Sequence, residues 1–276
     1  MSSGKQYLSL RPVGIKSKIR VYAAFFKGFM AKTIFPKNFI TIGQFLSRDA
    51  VVKSDGMLFY ARAHSEDLGY YAHTAKPSTF SWFQPVSGET VVDCGSSVGL
   101  FTMIGLKKGA VVYAFEANPS TFSILEKNIG LNRFEKNAHI FNLGLSSEPG
   151  EMTFYAPKHF TGTASFDKQW VENIEDKDEI AEFKVNVTTL DLILEKVERI
   201  DWLLIDVESF ECRVLLGANE ILDRTKRVIV EVSHNNREKV QKLFECHGFA
   251  VIDRGAWQEG VQYYLYERKG PRRLYP

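Results

Sequence analysis

The chain has 276 residues, 45% hydrophobic and 13% aromatic, which excludes a disordered protein and suits one large packed domain with an appendage. Its formal charge of +2 conceals a split: residues 1–48 carry nine bases and no acid, leaving 26 bases against 33 acids in the rest. Cys94, Cys212 and Cys246 are odd in number and far apart, which excludes a disulfide framework and a close-paired zinc site and makes a reduced, cytoplasmic setting the expectation.

In chain order, Ile19, Tyr22, Phe26, Phe29 and Met30 recur at helical spacing and predict a basic helix over 15–32, ended by Pro36. Its apolar run meets Lys27 too soon to span a bilayer, and no small-residue cleavage site follows. Ser54-Asp55-Gly56 between 50–53 and 57–62 predicts a hairpin, because Asp-Gly tolerates positive φ. Ser65 and Asp67 open a short helix through Tyr71.

From residue 90 apolar strands alternate with amphipathic helices. Strands are expected at 90–93, 110–115, 139–143, 202–205 and 228–232. A single helix is expected with Phe210, Val214, Leu215, Ala218, Ile221 and Leu222 inward, another over 237–246 with Gly248 as its C-cap, and a closing hairpin of 249–252 with 261–266. The pattern predicts an α/β fold: a doubly wound, mostly parallel sheet with a terminal antiparallel hairpin and an N-terminal helical and hairpin appendage. Residues 144–200 break the alternation and are expected to form an inserted hairpin and a polar helix over 169–181. The division is then a basic helical arm (1–48), a hairpin with short helices (49–88), a core (89–268) and a basic tail (269–276).

In such a sheet, ligands bind at the carboxyl ends of the strands where strand order reverses. Asp93-Cys-Gly95-Ser-Ser-Val-Gly99 lies there; Gly95 permits a tight turn against a ligand and Gly99 permits close helix packing. Glu116, 23 residues after Asp93 at the next strand tip, is placed to accept both hydroxyls of a ribose. The third glycine of a dinucleotide loop is missing, and Asp93 would repel a pyrophosphate but welcome a sulfonium and an ammonium group. The expected cofactor is S-adenosyl-L-methionine.

The stretches Val-Val-Asp-Cys-Gly-Ser-Ser-Val-Gly-Leu-Phe-Thr (91–102), Tyr-Ala-Phe-Glu-Ala-Asn-Pro (113–119), Gly-Leu-Ser-Ser (144–147), Val-Thr-Thr-Leu-Asp (187–191) and Ile-Asp-Trp-Leu-Leu-Ile-Asp-Val-Glu-Ser-Phe-Glu (200–211) resemble the FkbM-type S-adenosylmethionine-dependent methyltransferases. The resemblance runs from about residue 89 to 235. It implies a class I methyltransferase fold, with Asp93, Gly95 and Gly99 around the methionine end, Glu116 on the ribose and residues near Leu145 beside the adenine. Ser97, where the family usually has Asn, Ala117 and Asn118 next to Glu116, and Asp206 complete the expected cofactor set. The family usually carries Lys where this chain has Leu204, and Gly where it has Ser209.

Methyl transfer to an alcohol also removes a proton, so a base is needed beside the acceptor. Asp206, Glu208, Glu231 and His234, at two successive strand ends, are the catalytic candidates. No His, Cys or carboxylate cluster has convincing metal-ligand spacing in the sequence. The loop 155–166, with His159 among small polar residues, is expected to cover the acceptor, and Trp170, Trp257 and Tyr263 to offer flat faces to it. The resemblance implies O-methylation of a hydroxyl on a sugar or glycosylated small molecule. RNA methylation through the basic arm and tail is the alternative reading. A further one is a peripheral membrane protein with altered activity, touching a surface through residues 15–35.

Overall fold

The computed structural model describes residues 10–34, 42–73, 80–157, 161–174, 179–255 and 260–270. The chain enters through strand β1 (Arg11–Pro12) and helix α1 (Gly14–Ile34), followed by a 3-10 turn at Ile42–Phe45. Strands β2 (Ala50–Ser54) and β3 (Met57–Ala61) form the predicted hairpin; Asp55 and Gly56 both take positive φ, 45° and 81°. These three strands make a small antiparallel sheet, and helix α2 (Asp67–His73) follows.

The central layer is built from β4 (Thr90–Cys94), α3 (Leu100–Lys107), β5 (Val111–Phe115), α4 (Pro119–Asn132) and β6 (Ala138–Phe141). The insert follows, with β7 (Gly144–Leu145), β8 (Gly150–Pro157), α5 (Lys168–Ile174), β9 (Ile180–Thr188) and α6 (Leu190–Ile193). The chain then returns through β10 (Ile200–Ile205), α7 (Glu211–Leu216), α8 (Asn219–Arg224), β11 (Thr225–Ser233), α9 (Arg237–Cys246), β12 (Phe249–Arg254) and β13 (Val261–Arg268). Seven strands pair in the order β12-β13-β11-β10-β4-β5-β6, with β13 antiparallel to both neighbours and the rest parallel. Strand order therefore reverses between β4 and β10, as a doubly wound sheet requires. Every residue of β10 is buried, because helices cover both faces of the sheet.

The first sheet is fastened to this core by α4. Asn132 Oδ1 accepts from Leu58 N at 2.8 Å and Asn128 Oδ1 from Tyr60 N at 2.7 Å, so two amides one turn apart satisfy the open edge of β3. One hydrophobic cluster runs through both parts, from Val21, Leu46 and Phe59 to Phe83, Val91 and Leu125.

Two expectations are corrected. The polar helix of the insert stops at Ile174, and Ile180 and Ala181 begin β9, which pairs antiparallel with β8 over eight residues. The alternating burial of Val185 and Val187 is a strand signal that the charged neighbours mask. The single helix over 210–222 is two, because the chain breaks at Gly217, where a Cβ would fall 2.2 Å from Ser146 O. The predicted helix α1 forms, and it buries its small side: Ser17, Val21 and Ala24 are buried, whereas Ile19, Tyr22, Phe26, Phe29 and Met30 are exposed.

Candidate active site

The register of the large sheet sets five residues in a row. Phe115 pairs with Cys94, Cys94 with Ile205, Ile205 with Val230, and Glu231 with Tyr263. One step past those pairs, the strand tips present Glu116, Gly95, Asp206, Glu231 and Tyr263 side by side. Gly95 N donating to Phe115 O at 3.0 Å and Asp206 N to Cys94 O at 2.9 Å carry the ladder into this row.

At one end, Glu116 is buried and both its oxygens accept backbone N–H groups, Oε2 from Ser97 at 2.8 Å and Oε1 from Asn118 at 2.7 Å. Burial raises its pKa to about 7 despite those bonds. Each carboxylate oxygen keeps a second acceptor position for a ligand. Ser97 takes a φ of 49°, a left-handed conformation that Asn adopts more readily. Gly95 has a φ of 81°, and a Cβ there would lie 1.8 Å from Asp206 O, so the two strand tips meet only because this residue has no side chain.

At the other end, Asp206, Glu208 and Glu231 each bring an oxygen within 4.8 Å of the others. Tyr263 Oη donates to Asp206 Oδ2 at 2.7 Å, and Trp170 Nε1 to Glu208 Oε2 at 3.1 Å. Glu231 is buried close to Asp206 and leaves its Oε2 without a partner among the described residues. Burial, then mutual repulsion, pushes Glu208 and Glu231 well above the usual carboxylate range; burial raises Asp206, against the pull of Tyr263. The same three oxygens have the all-oxygen character of a site for a hard divalent cation.

Between the ends lies a cleft whose walls come from the strand tips and the insert. Gly95, Ser97, Glu116, Ala117, Leu145, Asp206 and Glu208 of the expected set line it. Asp93 does not: it is buried behind the loop, accepts from Thr102 Oγ1 at 2.6 Å, and is raised by burial to about 7. Gly99 and Asn118 shape the walls from behind, as the residues capping the starts of α3 and α4. His234 is exposed, opens a 3-10 turn and is not part of the lining.

The insert closes the cleft with Phe154, Gly162, Ala164 and Phe166, while His159 and Trp257 lie outside the described residues. Trp170 and Tyr263 serve as hydrogen-bond donors to carboxylates, not as flat faces. Sequence reasoning missed the lining residues Phe115 and Phe210, and also Tyr70 from α2 of the appendage, which packs against the lining residue Gly162, its hydroxyl occupying the space a Cβ there would take. No local pattern marks Tyr70, because its neighbour Gly162 is far away in sequence.

Comparison with known families decides between cofactor chemistries. The Methyltransferase FkbM domain matches residues 93–253. This chain belongs to the FkbM methyltransferase family. It is 31% identical over 186 residues to Methyltransferase 1 of Beauveria bassiana, covering 60% of this chain and 75% of that one. It is 25% identical over 237 residues to Methyltransferase sdnD of Sordaria araneosa, covering 75% and 92%. Among solved structures, P. horikoshii TYW2 in complex with MeSAdo superposes with a TM-score of 0.47 at 14% identity, over 80% of this chain and 70% of that one.

The cofactor of this FkbM methyltransferase is S-adenosylmethionine, and the cleft fits it on its own terms. The glycine-lined turn at Gly95 leaves space that any side chain would fill, and Glu116 has acceptor capacity left for ribose hydroxyls. Phe115, Ala117 and Leu145 supply an apolar slot for a flat base. Ser209 takes a φ of 71°, a left-handed backbone that costs a serine some strain. Leu204 is fully buried inside β10, away from the lining.

Proposed function

We propose that this FkbM methyltransferase methylates a hydroxyl oxygen on a sugar or glycosylated small molecule. The observation that carries the reading is the convergence of Asp206, Glu208 and Glu231 within 4.8 Å at the acceptor end of the cleft. S-adenosylmethionine supplies an electrophilic methyl carbon, and its sulfur keeps the bonding pair on release. The chain's task is to align an acceptor, exclude water and take up the hydroxyl proton. Glu208, half-buried and fixed by Trp170, is the group assigned to receive that proton, and its raised pKa brings it nearer the operating range of a base at neutral pH. Asp206 and Glu231 lie beside it, and burial with mutual repulsion works against all three acids being charged at once. Phe154, Phe166 and Phe210 wall the space and keep water out.

The test is transfer of a radiolabelled methyl group to a panel of glycosides, polyols and RNA, with Glu208→Gln as the variant. The expected result is label on a glycoside oxygen, with kcat reduced on the order of 10²–10³-fold in the variant and cofactor affinity by calorimetry changed less than about threefold. Label on an amine, or a variant with unaltered kcat, overturns the reading. Label on RNA, with affinity falling steeply in salt, would replace the acceptor.

A further inference from the structure

The face of α1 turned away from the protein is the apolar one. Ile15, Ile19, Tyr22, Phe26 and Met30 follow each other at three- and four-residue steps, and Ile15, Ile19 and Phe26 are 77%, 66% and 69% exposed. With Phe29, also exposed, they form a stripe about 100° wide along the helix. The opposite side is made of small residues, Ser17, Ala24 and Gly28, with Val21, and is buried against the appendage; a Cβ on Gly28 would already lie 3.1 Å from Ile42 Cγ1. Bases flank the stripe. Lys16 and Lys27 are exposed along one border and Lys18 along the other, while Arg20 Nη1 is tied to Asp49 O at 2.5 Å. At the start of the helix the exposed pair Arg11 and Lys53 sit directly opposite each other on β1 and β2, a like-charge pairing that destabilises a sheet unless an anion meets it.

We infer that α1 seats this protein on an anionic lipid surface, with the Ile15–Ile19–Tyr22–Phe26 stripe entering the interface and Lys16, Lys18 and Lys27 meeting the headgroups. The geometry favours a lipid surface over other partners. Phosphates of RNA would satisfy the lysines but leave isoleucine and phenylalanine in water. A protein that wraps a basic amphipathic helix needs access all round it, and here one side is docked on the domain. A flat interface needs only the free side. Among the described residues no helix is long and apolar enough to cross a membrane, so the contact lies in the interface plane.

The experiment is flotation of the full chain with vesicles of phosphatidylcholine alone and with 30–40% phosphatidylglycerol (about that range, to give a surface potential of physiological size). Binding is expected to the anionic vesicles, to weaken with added salt, and to be lost in Ile19→Asp/Phe26→Asp. Lys16→Gln/Lys18→Gln/Lys27→Gln should weaken it on the order of a hundredfold, about fivefold per charge. All these positions are exposed, so calorimetric cofactor binding should be unchanged in both variants and certifies that they fold. Full chain that stays unbound, or binding that survives both variants, overturns the inference. So does a dimer in sedimentation that Ile19→Asp/Phe26→Asp dissolves without any vesicle binding, since the stripe would then meet a second copy.

Discussion

At the Glu116 end of the strand-tip row, the polar contacts run from carboxylate to backbone: Ser97 N and Asn118 N hold Glu116, and Gly95 N reaches Phe115 O. At the Tyr263 end they run from side chain to side chain, Tyr263 to Asp206 and Trp170 to Glu208. The first end is fixed by consecutive strand-loop-helix units and changes only if the backbone moves. The second is a set of buried acids whose protonation depends on their neighbours. The contrast teaches that one end of a site can be held by backbone while the other remains chemically adjustable, because substituting a side chain there leaves the sheet intact.

The largest effect is expected from breaking the rigid end. Gly95→Ala places a Cβ 1.8 Å from Asp206 O at a φ of 81°. The strand tips must then part, at a cost of about 3 kcal/mol or more, and cofactor binding by calorimetry should fall at least on the order of a hundredfold. Retained affinity would show that the two tips can separate without harm.

A smaller effect belongs to the adjustable end. Tyr263→Phe removes the donor that favours ionised Asp206. The acidic limb of the kcat profile should therefore move to higher pH, by about one unit for a hydrogen bond to a charged group, with cofactor affinity nearly constant. A limb that stays in place would mean that the Asp206–Glu231 pair does not titrate in the working range.

The smallest effect concerns stability alone. The folded protein keeps Glu231 protonated to higher pH than the unfolded chain does, so its contribution to stability is lost as pH rises through the folded pKa. Glu231→Gln removes that loss. Its melting temperature should match the parent near pH 4 and exceed it at pH 8 by a few degrees, at about 2–4 °C per kcal/mol relieved for a domain of this size. The opposite trend would mean that an unseen cation already neutralises the acids in the parent, and melting with and without a chelator would show it.

Much of the rigid end was legible because it is local. The apolar runs of β4, β5 and β10 are continuous, as strands buried on both faces must be, and Gly95, Ser97 and Glu116 follow them directly. The breaks were harder to see. Gly217 splits a helix because Ser146 O approaches it from the insert, and β9 reads as a charged helix because its outer face is polar. Asp93 carries the expected residue type at the expected place, yet its carboxylate turns inward to Thr102.

By itself, the amino-acid order determined the alternating α/β sheet, the glycine turn after β4, the carboxylate on the next strand and the uneven charge of the first 48 residues, since each depends on neighbours within a few tens of positions. Only the tertiary structure decided the rest. The strand β13 slips in beside β11 and sets Tyr263 opposite Glu231, the sheet brings Glu231 alongside Asp206, and α2 sets Tyr70 against Gly162 of the pocket wall. Packing likewise chose which side of α1 to bury: the small residues let the helix lie close, so the large apolar ones were left facing outward.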